Sequence, residues 1–251
     1  HMADKPDTAF DNEQFDSIYP VGVERHYWNL CRNRVIAEQL RTIGAEGPIL
    51  EVGCGKGLVV HALRNDGFDI TGVELAAVQP IAEAAPYVRT AMDARLLDPA
   101  QRNAVRTILL LDVIEHLEDP VAFLTDLRSH FPSLRHLLFT VPSRQELFSS
   151  HDRFNNHYRR YDPDLLRQHT ALPGDRHLSC SYFFHMLYPA ARLQLKFAGD
   201  RAVGFTVPAP GLNTWTHALL GKAFLCEYNL MPKSWKGTSL IAAVQVGGDA
   251  G

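Results

Sequence analysis

Pro48-Ile-Leu-Glu-Val-Gly-Cys-Gly-Lys-Gly57 is the stretch that decides the fold. An apolar run leads into Glu51 and then into glycines at 53, 55 and 57. That order predicts a buried parallel strand, a tight turn and a helix from Gly57 to Asn65. Glycine permits positive φ and lets a ligand approach the main chain closely. The first turn of the helix presents free N–H groups to that ligand. In an open α/β sheet such a turn lies at the carboxyl end of a strand, where ligands bind.

Working outward, Asp69 to Leu75 reads as the second strand, with Glu74 at its end, 21 positions beyond Gly53. At that spacing a carboxylate can accept from both hydroxyls of a ribose. Tyr87 to Met92 predicts a third strand closing at Asp93-Ala94, followed by a short helix over Leu96 to Asn103. Thr107 to Asp112 is a continuous apolar run, as suits a central strand covered on both faces. Asp119-Pro120 then opens a helix, Asp as cap and Pro in the first turn. Strands are also expected at His136–Val141, Arg176–Phe184 and Ser239–Val246, with a helix over Asp162 to Thr170.

The glycine spacing argues against a dinucleotide. That fingerprint is G-x-G-x-x-G, whereas here the third glycine comes one residue early and Leu58 stands in its place. Together, E-x-G-x-G-x-G, Glu74, Asp93 and the string DVIEHLEDP (112–120) resemble the class I S-adenosylmethionine-dependent methyltransferases, over roughly Ile49 to His169 plus the last strand. The resemblance implies a Rossmann-like seven-stranded sheet, helices on both faces and strand seven antiparallel. It also implies S-adenosylmethionine as cofactor and a small-molecule methyl acceptor. By that likeness Gly53, Cys54, Gly55 and Gly57 hold the methionine end and adenosine, Glu51 lies near the amino group, and Glu74 with Leu75 takes the ribose. Asp93 and Ala94 would meet the adenine, and Asp112 and Val113 would flank the sulfonium. His116 points towards the reaction space in this picture, or else is a turn residue bonded to backbone.

Ahead of the glycine loop, residues 19–44 show helical spacing, with Trp28, Cys31, Val35, Ile36 and Leu40 on one side. Arg32 is either on the wet side or, as the resemblance implies, closes the cofactor pocket with Tyr27 and Trp28 and faces the methionine carboxylate. Residues 1–18 are polar and aperiodic, expected to fray, and His1-Met2 reads as an expression-tag remnant.

The loop after strand five packs His151, Asp152, Arg153, His157, Tyr158, Arg159, Arg160 and Tyr161 into eleven residues. Its place over the crevice makes Tyr158, Arg159, Arg160 and Tyr161 candidates for binding an anionic or polar acceptor. The bland alternative pairs the arginines with Asp162 and Asp164 on the surface. His116, His151 and His157 are the candidate bases, since imidazole titrates near neutrality. Glu115 and Glu118 are expected to face solvent. His151, His157 and Asp152 lack a convincingly spaced third ligand, so no metal is expected.

Between strands six and seven a helical insertion of about 188–236 interrupts the family pattern, with helices expected at Leu187–Ala198 and Leu212–Leu230. It is a lid, a homodimer interface, a shallow membrane contact or a pair of helices packed on the core. The whole of 19–251 is expected to be one methyltransferase domain.

Composition bounds the rest. The chain has 251 residues with a formal charge of −3, which gives no electrostatic reason to expect nucleic acid. Four scattered cysteines without C-x-x-C spacing, no signal peptide and no long apolar run together suggest a cytoplasmic protein without a transmembrane span. Two rival readings share the sheet: a catalytically silent module that binds S-adenosylmethionine or a partner, and an NAD(P)-dependent oxidoreductase.

Overall fold

The computed structural model describes residues 15, 17–200, 207, 209 and 211–247. Seven strands form one sheet: β1 (Ile49–Val52), β2 (Ile70–Val73), β3 (Val88–Arg89), β4 (Thr107–Leu111), β5 (His136–Pro142), β6 (Arg176–Phe183) and β7 (Ser239–Gln245). Their order is β3-β2-β1-β4-β5-β7-β6. The first five run parallel, and β7 lies antiparallel between β5 and β6. Chain order reverses between β1 and β4, and a ligand crevice is expected at that point, outside the carboxyl ends of the strands.

The period of two along each strand divides the core. Ile49, Leu109 and Leu138 face one side, where α1 (Tyr27–Thr42) and α2 (Leu58–Asn65) bring Ile36, Leu40, Val60 and Leu63. Leu50, Ile108, Leu110 and Leu137 face the other. There α4 (Pro120–Ser129) and α6 (Pro163–Thr170) supply Leu124, Leu127 and Leu166, while the short α3 (Pro99–Ala104) has no buried residue. Both faces of β4 are therefore covered, which is why its sequence is apolar without alternation.

Several boundaries shifted for local reasons. The first helix begins at Tyr27 rather than near residue 19, because His26 adopts extended backbone and its Nδ1 accepts from the Trp28 N–H at 3.3 Å. The third strand shortens to two residues, since only Gly72 and Val73 of β2 offer it partners. Asp119 caps α4 as expected, its Oδ1 accepting from the Ala122 N–H at 2.9 Å. The tag-like residues and most of the stretch expected to fray lie outside the described residues. Phe15 of that stretch is described and is buried.

The insertion forms α7 (Leu187–Ala198) and α8 (Leu212–Leu230). α8 packs on α1, stacking Phe224 on Tyr27 with centroids 5.4 Å apart and offering His217 Nδ1 to the Tyr27 N–H at 3.2 Å. Gly221 allows this approach, since a Cβ there would sit 3.1 Å from Leu30 Cβ. Among the described residues, no helix is long and apolar enough to cross a membrane.

Candidate active site

Two cavities open at the carboxyl ends of β1, β2 and β4, of about 200 and about 180 Å³. Both are lined by Phe15, Gly53, Glu74, Asp112 and His116, so they are two lobes of one crevice.

The glycine loop builds the floor. Gly53, Gly55 and Gly57 all have positive φ (76°, 54° and 83°). A Cβ on Gly53 would stand 2.9 Å from Val113 Cγ2, and one on Gly55 would collide with the Tyr19 hydroxyl. Glu74 locks the loop: its carboxylate accepts from the Gly55 N–H and the Ala76 N–H, each at 2.9 Å. Each oxygen keeps a further lone pair for a ligand.

Glu51 is buried, and its Oε2 has no hydrogen-bond partner among the described residues. Burial, with Glu74 and Asp112 adding to it against the opposing pull of Arg32, raises its pKa to about 8. Arg32 is buried over the Trp28 ring, 5.0 Å from its centroid. Its Nη2 donates to Asp112 Oδ2 at 2.5 Å and to Thr140 Oγ1 at 3.2 Å. Trp28 and Arg32 thus do line the crevice, whereas Tyr27 lines neither lobe and stacks on Phe224, and the guanidinium is already held by Asp112. Asp112 itself has φ of 57°, an uncommon conformation for a non-glycine residue, and this bends the chain out of β4 into the crevice wall.

The second lobe is an apolar slot between Leu75, Met92, Ala94, Val113, Leu117 and Phe123. Asp93 borders it, yet its carboxylate is engaged: Oδ1 accepts from the Arg95 N–H at 2.8 Å and from Arg95 Nε at 2.9 Å. The Arg95 hydrogen bond holds the Asp93 pKa down, and Asp93 caps the short turn Ala94–Leu96.

The loop after β5 departs most from expectation. Only His151, Asn155 and His157 of it reach the crevice. Arg160 is 4% exposed and turned inward, Nε donating to Asp152 Oδ1 at 2.7 Å and Nη1 to the Ser143 carbonyl at 3.2 Å. Asp152 also takes His157 Nδ1 at 2.9 Å and the Ser149 N–H at 2.9 Å, capping α5 (Ser150–Phe154). Burial alone would raise the Asp152 pKa, but His157 and Arg160 outweigh it and hold it low. Arg159 donates to the carbonyls of Leu117 and Glu118 at 2.8 and 3.0 Å, and the buried Tyr161 to that of Ile114 at 3.3 Å. Tyr158 is 56% exposed, and none of Tyr158, Arg159, Arg160 and Tyr161 lines either lobe. Nor do the arginines pair with Asp162 and Asp164: Asp162 caps α6 and Asp164 pairs with Arg167. Tyr158, through its N–H to the Glu115 carbonyl, Arg159 and Tyr161 fasten this loop to the turn after β4, while Arg160 ties the loop to itself.

That turn carries a second correction. Glu115 is 0% exposed instead of facing solvent, and neither carboxylate oxygen has a hydrogen-bond partner among the described residues. Burial and then the Asp112 charge push its pKa well up. His116 lies beside it, its ring edge-on to His157 with centroids 4.6 Å apart, and burial followed by the His157 charge lowers its pKa to about 3. Sequence reading missed Phe15, Tyr19, Asn155 and Ser239 as lining residues. Its one available signal was the presence of Phe15 and Tyr19 within an otherwise polar start. No described residue of 188–236 lines either lobe.

Residues 24–180 match the family model of a methyltransferase domain. The chain belongs to this methyltransferase family. It carries the methyltransferase domain on the seven-stranded sheet described above, with β7 antiparallel. Two ubiquinone biosynthesis O-methyltransferases of Cereibacter sphaeroides are similar to it, 31% identical over 124 residues and 30% over 122. Each match covers 41% of this chain, which spans about half (48%) of either relative's length. A candidate sarcosine dimethylglycine methyltransferase from Galdieria sulphuraria shares the fold, with a TM-score of 0.53 at 13% identity over 88% of this chain and 87% of its own.

Proposed function

We propose that this methyltransferase modifies an oxygen or nitrogen of a small polar metabolite, with the cofactor spanning both lobes and the acceptor entering beside His116, His151 and His157. The observation that supports it most is the buried, unpartnered Glu51 Oε2 beside the glycine loop. A buried acceptor without a donor is costly, and the ammonium of a methionine moiety supplies one. The residues fit the rest of the group. Glu74 offers free lone pairs beside the glycine loop, and the Leu75–Met92–Phe123 slot suits a flat heterocycle. When bound, S-adenosylmethionine supplies an electrophilic methyl group.

The chain's own part is then mainly positioning. The Arg32–Asp112 pair fixes the bent backbone at the junction of the lobes. Asp152 orients His157, and His151 and His157 stand where an acceptor proton could be taken. With Arg159 and Arg160 committed elsewhere, an anionic acceptor loses its support, and hydrogen bonding by His151, Asn155 and His157 remains. A homodimer through the insertion is likewise proposed, supported by the exposed Phe197, Leu212 and Trp215.

Calorimetry with S-adenosylhomocysteine tests the reading. Binding of one equivalent, with none for NAD(P), supports it. NAD(P) binding without S-adenosylhomocysteine binding would overturn it.

A further inference from the structure

We propose that Glu115, His116 and His157 form a divalent metal site on the acceptor side of the crevice. One ligand atom from each residue lies within 4.8 Å of the others. An ion with bonds of about 2.0–2.2 Å needs only small side-chain rotations to gather such a set. Two imidazoles and one carboxylate, with the open crevice on the remaining side, match the donor type of sites that keep positions free for substrate.

Three independent features of the structure point to a cation. The first is Glu115: fully buried, lining the larger lobe, with both carboxylate oxygens lacking a protein partner among the described residues. Buried carboxylates are found paired or coordinated. The second is the way His157 is held. Its Nδ1 is hydrogen-bonded to Asp152, which leaves Nε2 as the ligating atom. Carboxylate–histidine arrangements of this kind orient metal-binding imidazoles and raise their basicity. Asp152 is in turn fixed by Arg160 and Ser149, so the ring has a rigid support. The third is that His116 comes from the same turn as Glu115 and is edge-on to His157, so two distant segments converge on one point.

The use of the ion in the reaction rests on the methyl-transfer reading above, whereas its binding rests on geometry alone. A divalent ion there would hold an acceptor hydroxyl through its oxygen and favour loss of the proton. As the O–CH3 bond forms, the S–CH3 bond breaks with its electron pair going to sulfur, and the hydroxyl proton departs to His151 or to solvent, because with the ion bound His157 has no free nitrogen to take it. The site therefore points to an oxygen acceptor.

The experiment uses the whole chain after chelator treatment, titrated separately with Co2+, Zn2+ and Mn2+ by calorimetry, with visible absorption for Co2+. We expect one equivalent per chain for at least one ion. Glu115→Gln and His157→Gln should each weaken it at least tenfold, and Asp152→Asn by about tenfold to a hundredfold. His151→Ala, in the crevice but outside the cluster, should retain it. Thermal melts and S-adenosylhomocysteine binding by each variant show which ones are folded, and His116→Gln stands in for any that is not. No stoichiometric binding of any of the three ions overturns the site, as does binding lost equally in His151→Ala. Failure of the methyltransferase reading would look different, because S-adenosylhomocysteine would then not bind to the parent chain.

Discussion

Two loops at the carboxyl edge of the sheet make an instructive pair. The loop after β1 works through its backbone: three positive-φ glycines leave room for a ligand, and the neighbouring Glu74 carboxylate holds the Gly55 N–H in place. The loop after β5 is the richer in charge, yet its charges are spent on the protein. Arg160, Asp152 and His157 form a buried network, and Arg159 closes carbonyls of the turn after β4. Glycine at positive φ has few uses, so its presence is informative. An arginine has many partners to choose from, and a linear chain does not say which are near.

The comparison breaks most readily at Asp152. If the second loop is held by its buried charges, Asp152→Ala leaves Arg160 uncompensated and should cost about 3–5 kcal/mol of stability in denaturant unfolding. A loss below about 1 kcal/mol would mean that the network is dispensable and the arginines are available for ligand after all.

Next in size is Glu74, whose job is in the first loop. Glu74→Ala removes a charge-assisted acceptor from the crevice, and S-adenosylhomocysteine should bind about tenfold to a hundredfold more weakly, or about 1.5–3 kcal/mol. Unchanged affinity in calorimetry would move the cofactor away from β2.

The first loop could be read before any coordinates because each of its signals is local. Strand, turn and cap lie within ten residues from Pro48 to Gly57, and Asp119-Pro120 at α4 is equally self-contained. The crevice at the carboxyl edge followed from that turn, and the seven-stranded sheet from the resemblance it shares with Glu74, Asp93 and DVIEHLEDP. What escaped notice depends on distant contacts. Phe15 and Tyr19 enter the crevice from a stretch without periodicity, and Glu115 is buried only because the chain beyond β5 folds over it, the Tyr158 N–H meeting the Glu115 carbonyl at 2.8 Å. Of the two readings of Arg32, the wet side is excluded by its burial, and the bend at Asp112, invisible in sequence, brings a carboxylate of the protein to its Nη2.

A smaller effect should come from Glu51 and tests whether the first loop is waiting for a cation. The folded chain keeps the Glu51 proton up to about pH 8, while the unfolded chain loses it near 4.5. The unfolded state therefore binds fewer protons between those values, and stability should decline there as pH rises. Glu51→Gln should flatten that decline in urea midpoints. Cofactor binding runs the other way, because a ligand ammonium favours the ionised carboxylate. Affinity should rise roughly fivefold from pH 7 to 8 in the parent and stay flat in Glu51→Gln. A parent affinity independent of pH would show that the ammonium lies elsewhere.

The smallest effect is expected at Tyr158, and it is the sharpest test of the second loop. Its side chain is 56% exposed, stands outside both lobes and has Arg159 over its ring at 5.5 Å. An exposed cation–π contact is worth about 0.5–1 kcal/mol at most, and surface substitutions away from special features mostly fall within about 0.5 kcal/mol. Tyr158→Ala should therefore shift the denaturation midpoint barely, and KM for an identified acceptor should not move. His157→Gln, one residue earlier but inside the crevice, should lower kcat/KM on that acceptor. If Tyr158→Ala instead raises KM severalfold at constant kcat, the ring contributes to binding both ground and transition states. The loop would then swing over the crevice during turnover, and its charged residues would have to be considered again as acceptor contacts.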